Sequence, residues 1–358
     1  MTFLMFLAGL ALLILGADLL VRGASRLSLS LGIAPLVVGL TVVAFGTSAP
    51  ELAVSVKGAL DGQTDLALGN VVGSNIFNVL FILGVSALLA PLVVDRQLIR
   101  QEVPIMIGLS AMVVWMATDL RLSFLDGALL LGALLAYILL LYRQGTRAAP
   151  AEVADALLTN HPGLLSRLPV QLALIVVGLG MLVLGSRWLV DAATVVATML
   201  GVSPLVIGLT IVSAGTSLPE VATSVIAALR GEREIAVGNV LGSGIFNLGA
   251  VLGISAMVSG TGLQVPASLL AFDLPVMLAV AVACLPVLFT GHLIARWEGA
   301  VFLGYYVAYT VYLVLNAQAH DALDEFTLVM QTVVIPLTAL TLAAVAWRES
   351  SRWRRTRG

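Results

Sequence analysis

The chain has 358 residues, of which 60% are hydrophobic and only 11% are charged. Soluble domains carry about 25% charged residues, so this chain lacks the surface of a water-soluble protein, and its mean hydropathy of +1.07 agrees. The net charge of −2 gives no sign of nucleic acid binding, and the single cysteine, Cys284, excludes an internal disulfide. The composition predicts a multi-pass protein whose surroundings are the lipid bilayer.

Apolar segments recur along the whole chain. A hydrocarbon core of roughly 30 Å needs about 20 apolar helical residues, and eleven segments reach that length. The first has no basic start and no cleavage site, which predicts a retained span rather than a signal peptide. The predicted spans cover residues 3–21, 33–59, 65–90, 98–118, 122–142, 170–190, 202–229, 235–258, 267–290, 297–316 and 327–347.

A polar segment splits these spans into two sets of five, with one span left over. The predicted divisions are a first repeat at 1–142, a cytoplasmic linker at 143–169, a second repeat at 170–316, and an additional span with a basic tail at 317–358. The two sets are copies, because positions 31–86, aligned without a gap to positions 200–255, are identical at 32 of 56 places. A slightly larger offset aligns the fifth span with the tenth.

The odd number of spans in each copy has a geometric consequence. After five crossings the chain is on the opposite side of the membrane, so the second copy is inverted. Inverted repeats are typical of secondary transporters. The predicted fold is an all-α polytopic membrane protein, with a ten-helix core of two inverted five-helix repeats plus an eleventh C-terminal transmembrane helix.

The basic residues predict the orientation. With the N-terminus outside, 15 of the 18 basic residues lie on the inner side, and only Lys57, Arg121 and Arg187 lie outside. The positive-inside rule favours this arrangement, which predicts a protein of the cell (inner or plasma) membrane with a cytoplasmic C-terminus. The basic tail either fixes this topology or contacts anionic lipid.

Two carboxylates lie deep inside predicted spans. Glu51 and Glu220 occupy equivalent repeat positions in spans two and seven, where a carboxylate costs several kcal/mol unless it faces protein, water or a cation. We expect them to share one site near the membrane midplane. The acids near span ends are predicted to be interfacial or structural, namely Asp18, Asp95, Glu102, Asp126, Asp191, Asp273 and Glu298.

Each of these two glutamates ends the same six-residue motif. Residues 46–51 read Gly-Thr-Ser-Ala-Pro-Glu, and residues 215–220 read Gly-Thr-Ser-Leu-Pro-Glu. A proline inside a helix has no N–H for the carbonyl four residues back, which frees the carbonyls of Gly46 and Gly215. We expect each helix to break here and to turn backbone oxygens towards a cavity.

The following spans add polar side chains at helical spacing. Residues 69–78 and 238–247 share the pattern Gly-Asn-Val-x-Gly-Ser-x-Ile-Phe-Asn. The Ser and the last Asn of each copy share one helix face; these are Ser74, Asn78, Ser243 and Asn247. Asn70 and Asn239 either join the site or hold helices together. The candidate ligand atoms are all oxygens, which suit Ca²⁺ and Na⁺ better than zinc or copper.

At these paired motifs the sequence resembles the sodium/calcium exchanger family of the cation/Ca²⁺ antiporter superfamily, in its compact prokaryotic form. The resemblance implies spans two, three, seven and eight around the ions, sliding of spans one and six, and Ca²⁺ and Na⁺ as transported ions without a cofactor. It implies that Glu51 and Glu220 are the main Ca²⁺ ligands, shared with Na⁺. The other implied roles are backbone carbonyls to Ca²⁺ from Thr47 and Thr216, Na⁺ binding by Ser48, Ser74, Ser217 and Ser243, carbonyls at outer Na⁺ sites from Ala44 and Ser213, and completion of the centre by Asn78 and Asn247.

Two positions depart from the family pattern. Many members have Asp where this chain has Asn247, and Ala where it has Ser213. The missing acid leaves the ion stoichiometry and proton coupling open. The eleventh span has no place in the implied ten-helix core.

The expected function is exchange of Ca²⁺ for Na⁺ by alternating access, with the single chain as the functional unit and the oligomeric state left open. The alternatives are a Ca²⁺/H⁺ or K⁺-dependent antiporter and, in another class, a cation channel. The Gly-Asn-x-x-Glu signature of proton-coupled exchangers is missing from spans two and seven, and channel filters usually arise in symmetric oligomers. No hydrolase motif is found, so no enzyme activity is expected.

Overall fold

The computed structural model describes residues 2–145, 167–199, 213–289, 291–318, 320 and 322–341. Three predictions fall on the other residues and lie outside the described part. They are most of the linker at 143–169, the first part of span seven, and the basic tail.

Helices account for most of the described residues. They are α1 (Thr2–Leu31), α2 (Pro35–Thr47), α3 (Ala49–Leu60), α4 (Thr64–Leu89), α5 (Leu98–Asp119), α6 (Phe124–Gly145), α7 (Leu168–Met199), α8 (Ser213–Thr216), α9 (Leu218–Leu229), α10 (Arg233–Val258), α11 (Leu269–Phe289), α12 (Arg296–Ala317) and α13 (Ala322–Thr341). Nine of the described helices are long and apolar enough to cross a membrane, and the bent pair α2–α3 makes ten. The chain is an all-α polytopic membrane protein, as predicted.

Helices α1 and α7 are longer than the predicted spans. They contain 30 and 32 residues, or about 45 Å of helix at 1.5 Å per residue. Arg22 and Arg26 therefore lie inside α1, although the predicted span of residues 3–21 left them beyond its end in an inner loop, so this boundary is wrong. The apolar stretch sets only the minimum length of a span, and the Asp18–Arg22 ion pair, at 2.9 Å one turn apart, supports the continuing helix.

The last helix also begins earlier than predicted, at Ala322 rather than at residue 327. Asp324 and Glu325 lie in its first turn, where negative charge complements the helix dipole. Helix α13 has no buried residue within its most apolar stretch. It rests against the outside of α12, where the Tyr305 hydroxyl donates to the carbonyl of Val334 at 3.3 Å.

Helices α1 and α7 pack against each other in antiparallel fashion through glycines. A Cβ added at Gly178 would lie 2.7 Å from the carbonyl oxygen of Gly16, and one added at Gly185 would lie 2.7 Å from that of Gly9. Only glycine permits so close an approach of two helix backbones. The repeat alignment converts the Gly9–Gly185 contact into the Gly178–Gly16 contact, as a twofold relation between the copies requires.

Other contacts between the two halves come in matched pairs as well. Strands β1 (Leu92–Val93) and β4 (Leu293–Ile294) pair antiparallel, and so do β2 (Arg121–Leu122) and β3 (Leu263–Gln264). Gly84 contacts Gly299, while Gly253 contacts Gly127. The core is thus built largely between the halves rather than within each half.

Two of the acids near span ends are bonded to tyrosines within the protein, Glu102 fully buried and Asp273 partly buried. The Tyr137 hydroxyl and the Gln97 amide donate to the two oxygens of Glu102, at 2.5 and 2.9 Å. In the second copy the Tyr309 hydroxyl donates to Asp273 at 2.8 Å. Of the interfacial and structural interpretations left open for these acids, the structural one applies here.

Candidate functional site

The two Gly-Thr-Ser-x-Pro-Glu motifs interrupt their helices as predicted. Helices α2 and α3 meet at Ser48 with a bend of 45°. In the second copy, Ser217 separates α8 from α9 with a similar backbone conformation. Each proline follows in the first turn of the next helix, where the missing N–H costs nothing. The breaks place Glu51 and Glu220 in first turns, where the helix dipole favours negative charge.

The structure brings the two carboxylates of the motifs together. Glu51 and Glu220 have no solvent exposure. The Ser217 hydroxyl donates to Glu51 Oε1 at 2.9 Å, and the Ser48 hydroxyl donates to Glu220 Oε1 at 3.2 Å. Each carboxylate is therefore held by the break of the opposite copy. Ser74 joins the same cluster, with its hydroxyl 3.1 Å from that of Ser217.

Asn70 and Asn239 flank the two carboxylates and link the helices that carry them. The amide of Asn70 donates to the carbonyl of Glu51 at 3.1 Å and to Ser55 Oγ at 2.8 Å, and its oxygen accepts from Thr216 Oγ1 at 3.2 Å. Asn239 makes the equivalent bonds to the Glu220 carbonyl, Ser224 and Thr47, at 3.4, 2.9 and 3.1 Å. Of the two interpretations, the structure favours helix-to-helix support for these asparagines. Ser55 and Ser224 were missing from the predicted set, although they are identical at equivalent repeat positions.

Several buried polar atoms at the centre have no hydrogen-bond partner among the described residues. They include Oε2 of Glu51, Oε2 of Glu220, and both side-chain polar atoms of Asn78 and of Asn247. The two asparagines begin the π-helical segments Asn78–Leu83 and Asn247–Leu252, a distortion common at functional sites. An unpartnered buried carboxylate oxygen is costly, so this arrangement fits a bound cation.

The other predicted residues lie at or beside the helix breaks. Thr47 and Thr216 end α2 and α8, and Ser213 begins α8. The Ser243 hydroxyl is 3.5 Å from that of Thr47. The carbonyl of Ala44 already accepts the N–H of Ser48 at 3.0 Å, so in this conformation it is engaged within its own helix.

One freed carbonyl has a partner that the sequence did not predict. Gly215 O, released by Pro219, accepts a 2.6 Å hydrogen bond from the hydroxyl of Ser186 on α7. The expectation that both freed carbonyls turn to a cavity is therefore wrong for this copy. The repeat alignment could not reveal the bond, because the counterpart of Ser186 is Ala17.

The chemistry of the cluster is that of a hard-cation site. Within the described ranges no group of three or more His, Cys, Asp or Glu could hold a metal ion. The cluster offers two carboxylates together with hydroxyl and amide oxygens. Such oxygen ligands suit Ca²⁺, and two carboxylates balance the charge of one divalent ion.

Comparison with known proteins gives concordant matches. The family described as sodium/calcium exchanger protein matches residues 1–143 and 170–315. The inner membrane protein YrbG of Escherichia coli is 38% identical over 258 residues, 71% of this chain and 79% of that protein. The sodium/calcium exchanger MaX1 of Methanosarcina acetivorans is 32% identical over 345 residues, 87% of this chain and 98% of that protein.

A solved structure shares the fold. The sodium-calcium exchanger NCX_Mj, soaked with 2.5 mM Na⁺ and 0.1 mM Ca²⁺, superposes with a TM-score of 0.73 at 30% identity. The alignment covers 86% of this chain and 96% of that one. On the matched ranges and these relatives, the chain belongs to the sodium/calcium exchanger family of membrane antiporters, which are transporters rather than enzymes.

Proposed function

We propose that this antiporter exchanges Ca²⁺ for Na⁺, and that both ions bind in turn between Glu51 and Glu220. The observation that carries the proposal is the pair of fully buried carboxylates, one from each copy, each with one oxygen that no described residue bonds. A divalent cation between them supplies the missing partner and balances both charges. Because either ion occupies the same oxygens, the binding of one excludes the other, which couples their opposite movements.

The neighbouring oxygens complete the proposed ligand set. Backbone carbonyls of Thr47 and Thr216 at the helix ends join the Ca²⁺ ligands, and the amide oxygens of Asn78 and Asn247 line the centre. The Na⁺ positions take oxygens from the hydroxyls of Ser48, Ser74, Ser217 and Ser243 and from the carbonyls of Ala44 and Ser213. The Ala44 carbonyl becomes available only if the turn at Ser48 loosens, which makes it an outer ligand.

Sodium coupling is favoured over proton coupling by the amide at position 247. An amide carries no exchangeable charge, so Glu51 and Glu220 are the only acids in the proposed ligand set. In a proton-coupled exchanger, protons and Ca²⁺ would then compete for these two carboxylates alone. The surrounding serine hydroxyls would have no role as ligands of the counter-ion. The relatives MaX1 and NCX_Mj are named as sodium/calcium exchangers, which supports the same choice.

The test is ⁴⁵Ca²⁺ uptake into proteoliposomes loaded with Na⁺ and diluted into Na⁺-free medium. We expect uptake that disappears when the vesicles contain K⁺ instead. Uptake driven by a pH gradient without Na⁺ would identify a Ca²⁺/H⁺ antiporter, and a requirement for K⁺ together with Na⁺ would identify the K⁺-dependent type. Ca²⁺ entry that needs no counter-ion would indicate a channel.

The proposal includes an orientation and a functional unit. The excess of basic residues on one side supports a cytoplasmic location for the segment 143–169 and the C-terminus. The site forms between two copies within one chain, so a single chain can carry out exchange. A C-terminal reporter that is active only in the cytoplasm, and transport by monomers reconstituted at one chain per vesicle, check these two points.

A further inference from the structure

The two long helices contact the rest of the protein unequally. Helix α1 packs along α9, whereas the equivalent pair, α7 and α3, hardly touch. A gap of about 680 Å³ lies between α7 and the α2–α3 break. Its lining includes Val42, Phe45, Gly46, Leu179, Val183 and Arg187. The protein is therefore closed where α1 meets α9 and open where α7 faces α3.

An ion pair spans the closed contact. Asp18 of α1 pairs with Arg230 at the end of α9, and with Arg22 of its own helix at 2.9 Å. Two turns along α1 from Asp18, the Ser25 hydroxyl donates to Glu232 at 2.7 Å. These bonds tie α1 to the turn between α9 and α10.

The repeat alignment finds a second pair with its charges reversed. The alignment that matches the two glutamates also relates Asp18 to Arg187, and Asp61 to Arg230. In the repeat, the pair Asp18–Arg230 thus corresponds to the pair Arg187–Asp61. Each position carries the opposite charge in the other copy, so the second pair is again one acid and one base. In this structure Asp61 is bound by Lys57 at 2.7 Å, and no described carboxylate lies within 4 Å of Arg187 at the open gap.

The two pairs lie on opposite sides of the α1–α7 crossing. The crossing contacts join Gly9 to Gly185 and Gly16 to Gly178, so Arg187 lies level with about residue 7 of α1. Asp18 is eleven residues further along that helix, which is about 16 Å at 1.5 Å per residue. One side of the protein can therefore close on Asp18 and the other on Arg187.

We propose that Asp18–Arg230 and Arg187–Asp61 are alternating latches, each of which closes one side of the transporter while the other is broken. This structure shows the first latch formed and the second open. Movement of α1 and α7 along the bundle breaks the Asp18–Arg230 pair and carries Arg187 to Asp61, which leaves Lys57. The inference rests on the proposed exchange in one respect, because exchange requires the two sides of the protein to close in turn.

The test measures how far apart α7 and α3 lie at the open gap. Cys284 is the only cysteine and is buried, so Cys284→Ala gives a background for site-directed spin labels. Labels at the exposed residues Leu184 and Leu60 report on the separation by double electron–electron resonance. The population at long label-to-label distances gives the fraction of molecules open at this gap, and the population at short distances gives the closed fraction. Their quotient is the closed-to-open ratio.

The two latches predict shifts in opposite directions. Arg230→Gln removes the formed latch, so the closed-to-open ratio at the gap should rise about two- to fivefold, as expected for a partly exposed ion pair. Arg187→Gln removes the second latch alone and should lower the same ratio by a similar factor. Asp61→Asn also removes the pair with Lys57 that forms in the open conformation, so it should change the ratio less than Arg187→Gln does. Arg230→Lys keeps the charge and should restore the original ratio.

Arg26→Gln is the matched control, since it removes a positive charge from α1 where no described acid lies within 4 Å. It should leave the ratio unchanged. A ratio that is unmoved by Arg230→Gln and Arg187→Gln, or moved in the same direction by both, overturns the proposal. The distances are measured without any ion gradient, so a failure of Na⁺-driven Ca²⁺ uptake would count against the proposed function and not against the latches.

Discussion

Replacing Glu51 with Gln isolates the charge of one carboxylate from its shape. Glutamine has nearly the same size, and its oxygen can still accept the 2.9 Å hydrogen bond from Ser217. What is lost is one negative charge, on a carboxylate whose second oxygen, Oε2, has no partner in the described part of the chain. Removing one member of a buried charge pair costs about 3–5 kcal/mol, which corresponds to roughly two to nearly four orders of magnitude in the Kd for Ca²⁺.

The assay is Ca²⁺ binding by isothermal titration to the purified protein, followed by ⁴⁵Ca²⁺ uptake in proteoliposomes. Glu220→Gln should weaken binding to a similar extent, because it occupies the equivalent position. Glu102→Gln is the matched control. Its carboxylate is buried too, but both oxygens are already bonded, to Tyr137 and Gln97. A Ca²⁺ affinity within threefold of the unmodified protein in Glu51→Gln would refute the assignment of this residue to the site.

Three further predictions test the support of the site. Gly178→Ala puts a Cβ 2.7 Å from a backbone oxygen and should destabilise the α1–α7 contact by about 1–3 kcal/mol, seen as a lower Tm, whereas Gly180→Ala meets no atom within 4 Å and should leave the Tm unchanged. Asn70→Ala loses three hydrogen bonds worth about 0.5–1.5 kcal/mol each and should raise the KM for Ca²⁺ uptake; an unchanged KM would make the residue dispensable. Asn247→Asp adds a negative charge to the centre and should steepen the Na⁺ dependence of uptake, and an unaltered dependence would make this departure from the family incidental.

The helix breaks and the pairing of the copies could be predicted because their causes are local in sequence. Although Pro286 lies within the continuous helix α11, a proline removes a hydrogen bond of the helix and can break it. Pro50 and Pro219 do so with the same flanking residues. The register of the repeat then places Glu51 opposite Glu220 without any knowledge of the packing. Both features depend on short motifs that the chain contains twice.

Other features depend on packing between distant segments and left no local signal. Helix α1 continues beyond its most apolar stretch, and the ion pair of Asp18 with Arg230 joins it to the other half of the chain, a contact that hydropathy does not predict. Asn70 could be a ligand or a support by sequence alone, and only its bonds to Ser55 and Thr216 decide between these roles. A polar residue in a predicted membrane span indicates that it has a partner, but the sequence does not indicate which residue the partner is.

The differences between the two copies are as informative as their identities. The residues at the centre of the cluster are the same in both copies, whereas residues on the long helices differ, as Ser186 does from Ala17. A conformation with the same contacts in both copies would be open or closed on both sides at once, whereas exchange requires one side to be open at a time. We therefore expect the identical positions to hold the ions and the differing positions to bias which side is open.

Ser186→Ala tests this division, because it gives the second copy the residue of the first. The change removes the 2.6 Å hydrogen bond to Gly215 O, which belongs to the conformation with the α7–α3 gap open. A lost bond of about 0.5–1.5 kcal/mol should raise the closed-to-open ratio at spin-labelled Leu184 and Leu60 about two- to tenfold, with Ca²⁺ affinity retained. Ser28→Ala is the control, since its buried hydroxyl donates only within α1, to Ser25 O. Loss of Ca²⁺ affinity with an unchanged ratio would mean that Ser186 supports the ion site and not the choice of side.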